Sequence, residues 1–295
     1  MRKLLIAAVV TFILLHSASE AFHWVQTWSK RIDFSMHSTS PSPSVNAEKR
    51  IVFIRHGCTY MNEHLSKPGC SWGSPNFSDI FPEKISEDRY LDSKLSPLGL
   101  EQAKSLAKRI QDGASDFSFS EVELFVVSPL TRAIETYKLG ILPVVKKMSS
   151  QPPTMALPLA AERVYLISDI GHPRSILEKD YGDLIDFRSA FKRNSGTLEE
   201  TWWFDQRLRT ETYKEWRPTG ENQRYACPGE PDNDFEKRMR SFYKWLHGRK
   251  ESTIAVVCHW GVINWMLDAD FENCEYRVVD FDDIRPPSME KLLAE

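Results

Sequence analysis

Three turns bearing arginine or histidine, each directly after a short apolar run, hold the residues best suited to chemistry in this 295-residue chain. Arg55-His56-Gly57 follows Ile51-Val52-Phe53-Ile54, and Ser128-Pro129-Leu130-Thr131-Arg132 follows Leu124-Phe125-Val126-Val127. His259-Trp260-Gly261 closes the run from Thr253 to Cys258. Arginine offers a planar fork of donors that matches phosphate oxygens and keeps its charge at physiological pH. A neutral imidazole can attack phosphorus and hold it covalently, dividing one hard displacement into two easier ones. With two arginines and a second histidine to carry the developing charge, phosphoryl chemistry at such a site needs no metal or other cofactor.

For these turns to meet, the three runs must be strands of one sheet, because ligands of open α/β sheets bind beyond the carboxyl ends of the strands. From Glu48 onward strand-like and helix-like segments alternate, which argues for the α/β class. Ala103, Leu106, Ala107 and Ile110 recur at helical spacing behind Pro97, so the pattern predicts a helix over 97–111 with Ser96 as its N-cap. A second helix is expected from Leu130 to Leu139, starting at Pro129. A third, opened by Asn233 or Asp234, carries the stripe Phe235, Met239, Phe242 and Leu246, and a short apolar helix runs to Leu267. Two stretches, 62–92 and 140–232, show no clear period; insertions of this kind commonly cover an active site.

The same residues carry a resemblance. Arg55-His56-Gly57-Cys58-Thr59-Tyr60-Met61-Asn62 is similar to the R-H-G-x-[ST]-x-x-N signature of the histidine phosphatase (phosphoglycerate mutase-like) superfamily. Asp92 to Ala103 resembles its L-[ST]-x-x-G-x-x-Q-A helix, Ser128 to Thr136 its S-P-L-x-R-A-x-x-T block, and Val257-Cys258-His259-Trp260-Gly261 its V-x-H-x-G strand end. Four blocks in the family order span 51–267. The resemblance implies a mixed, mostly parallel sheet sandwiched between helices. It implies His56 as nucleophile, Arg55 and Arg132 as phosphoryl ligands, and His259 as the residue that completes the pocket and steadies the transferred charge. Thr59 and Asn62 stand where the family often adds phosphate contacts.

The leaving alkoxide needs a proton. Glu162, in Leu159-Ala160-Ala161-Glu162, resembles the family's L-x-E acid, with Asp169 as its rival. Ser168-Asp169-Ile170-Gly171 and Leu177-Glu178-Lys179-Asp180-Tyr181 resemble a subgroup of plant, fungal and algal members. The chain departs from the mutases in having Cys58 after Arg-His-Gly, where they usually have Glu, which weighs against mutase activity.

Other residues have plainer readings. His64, His172 and His247 match no motif and are expected as structural, surface or pocket-rim residues. Trp202, Trp203 and Trp216 are expected to pack their insertion onto the core rather than line a pocket. The Pro228-Gly229-Glu230-Pro231 run is read as turn chemistry, and Cys258 as a small core residue. Five scattered cysteines without a C-x-x-C pair do not make a disulfide framework. No H-x-H or H-E-x-x-H spacing suggests a metal site.

The formal charge is −3. Residues 1–47 hold Arg2, Lys3, Lys30 and Arg31 against Glu20 and Asp33, so the remainder is more acidic still, a poor match for nucleic acid. Arg2 and Lys3, the apolar stretch Leu4 to Leu15 and the small residues up to Ala21 lay out a signal peptide over 1–21. Residues 22–47 are rich in Ser and Thr with one acidic residue, the composition of a transit peptide or a disordered linker. Together they resemble the two-part presequences of algae with secondary plastids; secretion or retention in the endomembrane lumen is the alternative destination. The catalytic domain is then 48–295, with no membrane segment in the mature form.

The expected function is hydrolysis of a phosphomonoester, a small metabolite or a phosphoprotein, through phosphohistidine on His56. A phosphoglycerate mutase-like transferase would use the same residues, and a non-catalytic phospho-ligand binder is the third reading. Oligomeric state is not legible in the sequence.

Overall fold

In the computed structural model, β1 (Arg50–Arg55), β2 (Leu124–Val127), β3 (Thr154–Ala156), β4 (Thr253–Cys258) and β5 (Tyr276–Asp280) form one sheet in the order β3-β2-β4-β1-β5. The structure describes residues 49–71, 89–113, 117–192, 195–205 and 229–284. The expected presequence over 1–47, Trp216, Cys227 and Pro228 lie outside the described residues. All pairings are parallel except that of β5, which runs antiparallel along β1. The mixed, mostly parallel α/β sheet is thus the observed one.

The strand runs are continuously apolar because both faces of the sheet are covered. Val52, Ile54, Phe125, Val127, Ala255 and Val257 pack on one side, while Ile51, Phe53, Leu124, Val126, Ile254 and Val256 pack on the other. Helix α1 (Tyr60–Leu65) follows β1. Helix α2 (Pro97–Gln111), with Ser96 Oγ accepting from Gly99 N, buries Ala103 and Leu106 on the first face. Helix α3 (Thr131–Thr136) joins it there with Ala133 and Ile134. This helix begins two residues after Pro129 and does not stop at Leu139. It widens into a π turn, Tyr137–Ile141, and continues as α4 (Leu142–Val145). Pro143 has no N–H for the Leu139 carbonyl, which explains the wider turn.

Helix α5 (Arg174–Tyr181) was not legible as a period. Helix α6 (Asp232–His247) turns its predicted stripe of Phe235, Met239, Phe242 and Leu246 to the second face. It starts at Asp232, slightly ahead of the expected Asn233 or Asp234, with Pro231 at the N-cap and Asp232 and Asp234 in the first turn, where carboxylates meet the positive helix end. Helix α7 (Trp260–Leu267) adds Val262, Ile263 and Met266. Each such side chain contributes on the order of 1.5–3 kcal/mol of burial, so the three layers hold the strand ends firmly. Among the described residues no helix is long and apolar enough to cross a membrane.

Candidate active site

Strand register brings the predicted residues together. β1 and β4 pair with Arg55 opposite Cys258, so His56 and His259 leave the sheet side by side. The His56 N–H donates to Cys258 O at 3.1 Å, and the two imidazole centroids lie 5.1 Å apart. β2 pairs with β4 on its other side, and Ser128 N donates to Val257 O at 3.0 Å, which sets the turn that launches Arg132. Gly99 lets α2 close on this region: a Cβ there would sit 1.9 Å from Cys58 O.

The tautomers follow from the partners. His56 Nδ1 lies 2.7 Å from Gly57 O; a carbonyl only accepts, so Nδ1 carries the proton and Nε2 keeps its lone pair. Burial, then Arg132 and Arg55, hold this imidazole well below its ordinary pKa, which keeps it neutral. Arg132 Nε donates to His259 Nδ1 at 3.2 Å, so the His259 proton sits on Nε2 and is donated to Ser128 Oγ at 2.7 Å. His259 is likewise held well below its usual value by burial and Arg132. Both of its nitrogens are engaged, so in this arrangement it acts on the pocket by orienting Arg132.

Arg132 is buried and donates also to Ser168 O at 2.6 Å and to Asp169 Oδ1 at 2.8 Å. Three of its five donors are therefore occupied and two remain for a ligand. Arg55 donates from Nη1 to Phe271 O, while its buried Nε has no partner among the described residues. A buried unpaired N–H costs on the order of 1–3 kcal/mol, and an anionic oxygen would relieve it.

Glu162 accepts from Arg163 N at 2.9 Å and from Gly261 N at 3.1 Å. Burial and the nearby Asp169 raise its carboxyl above the ordinary carboxylate range. Asp169, the rival acid, is committed elsewhere: Oδ1 pairs with Arg132 and Oδ2 accepts from the Tyr165 and Leu166 amides at 3.1 and 3.0 Å. It is paired with the Arg132 guanidinium and positions it, whereas the two Glu162 oxygens meet only single backbone amides.

Thr59 and Asn62 are found in a capping box. Asn62 Oδ1 accepts from Thr59 N and from Thr59 Oγ1, and Thr59 Oγ1 accepts from Asn62 N. The Thr59 hydroxyl spends its proton on Asn62, so it starts α1 and offers no donor to a ligand; the Asn62 amide NH2 is the group left over.

Several positioning residues were not foreseen. Asp92, fully buried at φ 44°, accepts from Thr131 N at 2.8 Å and Thr131 Oγ1 at 2.6 Å, fixing the start of α3. Asn273 donates to His56 O at 2.9 Å. Glu230, in the run read as a turn, is buried and forks onto Arg238 of α6. Arg238 lies within the apolar stripe, between Phe235 and Met239, and a cation on a buried helical face was the available signal. Trp202 is buried as expected, with its indole N–H on His172 O, and Cys258 is a core residue. Burial pushes the Cys58 thiol up, unlike an activated nucleophile.

An α/β/α sandwich with two arginines and two neutral histidines beyond its parallel strand ends is built to hold a phosphoryl group. The family model for the histidine phosphatase superfamily (branch 1) matches residues 83–145 and 192–279, just over half of the chain, and the protein belongs to that superfamily. The matched spans contain Arg132 and His259; Arg55, His56 and Glu162 lie outside them but in the same pocket.

Two relatives come from Arabidopsis thaliana. Phosphoglycerate mutase-like protein 2 is 28% identical, with 65% of this chain and 61% of that protein covered, so the chain spans less than two thirds of its length. A phosphoglycerate mutase-like protein is 25% identical, with 64% and 67% covered. Among solved structures, the mycobacterial glucosyl-3-phosphoglycerate phosphatase with VO3 is 18% identical with a TM-score of 0.40, covering 78% of this chain and 92% of that one. The phosphoglycerate mutase from Thermus thermophilus is 19% identical with a TM-score of 0.38, again covering 78% and 92%.

Proposed function

We propose that the protein is a phosphomonoester hydrolase working through phosphohistidine on His56, with small phosphorylated metabolites as substrates. The observation that carries this reading is the His56 tautomer: Nδ1 is tied to Gly57 O, leaving Nε2 as a neutral, lone-pair nucleophile, while the buried Nε of the adjacent residue Arg55 has no partner among the described residues. Nε2 attacks phosphorus while Arg55 and Arg132 bind the equatorial oxygens. Glu162, whose carboxyl burial raises above the ordinary carboxylate range, gives its proton to the departing alkoxide. The resulting Glu162 carboxylate then takes a proton from the water that attacks the phosphohistidine, releasing phosphate and restoring both groups.

Turnover of 4-nitrophenyl phosphate with and without a chelator, beside His56→Ala, tests the reading. Chelator-resistant turnover that disappears in His56→Ala, with an acid-labile phosphoenzyme after quenching, supports it. Equal activity in the two proteins removes His56 as nucleophile. A plastid destination is part of the proposal and rests on the composition of residues 1–47 alone; a fluorescent protein carrying those residues should enter the plastid of an alga with a secondary plastid, and appearance in the medium would reassign it.

A further inference from the structure

Arg238 stands on α6, and all five of its guanidinium donors are in use. Nε and Nη2 fork onto the Glu230 carboxylate at 2.9 and 2.7 Å. Nη1 donates to Leu159 O at 3.1 Å and to Ala161 O at 2.7 Å, and Nη2 donates to Glu162 O at 3.2 Å. The three carbonyls belong to the strap that leads from β3 to Glu162. Glu230 is itself fixed, because its N–H donates to Val164 O at 2.8 Å and its carbonyl accepts from Arg163 Nε at 2.8 Å.

The strap has little regular structure of its own. Past β3 it makes one short 3-10 turn, Pro158–Ala160, and then runs extended at Ala161. Its carbonyls would otherwise need water or a strand partner. A bidentate arginine–carboxylate pair is the strongest and most directional side-chain unit available for that task. The Glu162 carboxyl end is gripped separately by Gly261 N and Arg163 N.

We infer that Arg238, fixed by Glu230, is the positioning residue for Glu162: it sets the main chain of 159–162 so that the Glu162 carboxyl reaches Gly261 and faces the leaving group. The inference rests on the reading of Glu162 as the general acid. Arg238 touches neither His56 nor Arg55 nor Arg132 by any hydrogen bond, so its loss should spare attack on phosphorus and impair protonation of the leaving oxygen.

Lysine has three donors and no fork, so Arg238→Lys keeps the charge and loses the geometry. The test is the dependence of kcat/KM on leaving group across aryl phosphates from 4-nitrophenyl to 4-methoxyphenyl, because a good leaving group departs without a proton and a poor one does not. Arg238→Lys should lose about 10²-fold on the 4-methoxyphenyl ester, the lower end of what a placed acid contributes, and little on the 4-nitrophenyl ester. Glu230→Gln, a milder change, should steepen the same slope. The Arg238→Lys/Glu162→Gln double variant should match Glu162→Gln alone.

Equal losses on all esters, or additive losses in the double variant, overturn the inference and mark Arg238 as a fold residue. A flat response in Glu162→Gln overturns it from the other side, by removing the acid that Arg238 was to position. Failure of the function reading looks different: His56→Ala then keeps the wild-type rate, or the wild type hydrolyses no ester. In that case crystal structures decide. Arg238→Lys should show Glu162 withdrawn from Gly261 with His56 in place, and an unmoved Glu162 overturns the inference.

Discussion

Gly261 donates its amide to Glu162 Oε2 at 3.1 Å, and a Cβ at Gly261 would lie 2.3 Å from Glu162 Oε1. The carboxyl therefore rests on the bare first turn of α7, immediately after His259, and a glycine is needed there for space rather than for backbone freedom. Gly261→Ala should displace the carboxyl. The expected result is a ~10²-fold loss of kcat/KM on poor leaving groups, with an unfolding free energy lowered by about 1–3 kcal/mol through overpacking. Aryl phosphate kinetics and urea denaturation of the same preparation check both.

The pH–rate profile should be bell-shaped, with each limb displaced from the ordinary range of its group. Productive enzyme has neutral His56 and protonated Glu162. Burial and the two arginines lower the His56 pKa well below 6.5, so the acid limb falls below the ordinary histidine range. Burial and Asp169 raise the Glu162 pKa above 4.5, so the alkaline limb comes from Glu162 and lies above the ordinary carboxylate range. Glu162→Gln should lower the plateau and remove the alkaline limb from kcat/KM. An alkaline limb that persists in that variant would assign it to another group.

Stability should follow the histidines with a definite sign. Unfolded His56 and His259 bind protons near pH 6.5, whereas the folded ones resist protonation, so below that pH the unfolded chain holds more protons. Stability is then present above about pH 6.5 and is lost as the pH falls toward the folded values. Thermal midpoints should drop on acidification, and less steeply in His259→Gln.

The strands that position the site were legible because they are covered on both faces and read as unbroken apolar runs: Ile51 to Ile54, Leu124 to Val127 and Thr253 to Cys258. β5 was not, since Tyr276–Asp280 is an edge strand with no fully buried residue. β3 is only three residues long, too short for any period to show. In the site, Arg55, His56, Arg132 and His259 stood out as charged or titratable groups ending apolar runs. Asp92, Glu230 and Arg238 did not: Asp92 and Arg238 serve backbone groups 39 and more than 70 residues away, the Glu230 carboxylate serves Arg238, and of the three only Arg238, a cation within an apolar helical stripe, carried a local signal.

Asp92 makes that point measurable. Its carboxylate satisfies both the amide and the hydroxyl of Thr131, with Asp92 itself fully buried and left-handed. Asp92→Ala leaves two buried donors unmet, each costing on the order of 1–3 kcal/mol, and removes a residue that tolerates positive φ. Denaturant unfolding should show a loss of about 2–5 kcal/mol. A loss below about 1 kcal/mol would mean that water replaces the carboxylate and that Asp92 does not set α3.

Asp169→Asn separates the two carboxyl groups that sequence reasoning could not. Asp169 pairs with Arg132 at 2.8 Å with both side chains under a tenth exposed, so neutralising it strands a buried guanidinium, at a cost of about 3–5 kcal/mol when one partner of such a pair is removed. Arg132 would be free to turn from the phosphoryl site, and binding and attack should weaken for every ester alike. The slope against leaving group should stay shallow, opposite to Glu162→Gln, and KM should rise as the phosphoryl clamp loosens. A steepened slope in Asp169→Asn, with Glu162→Gln flat, would transfer the acid role to Asp169.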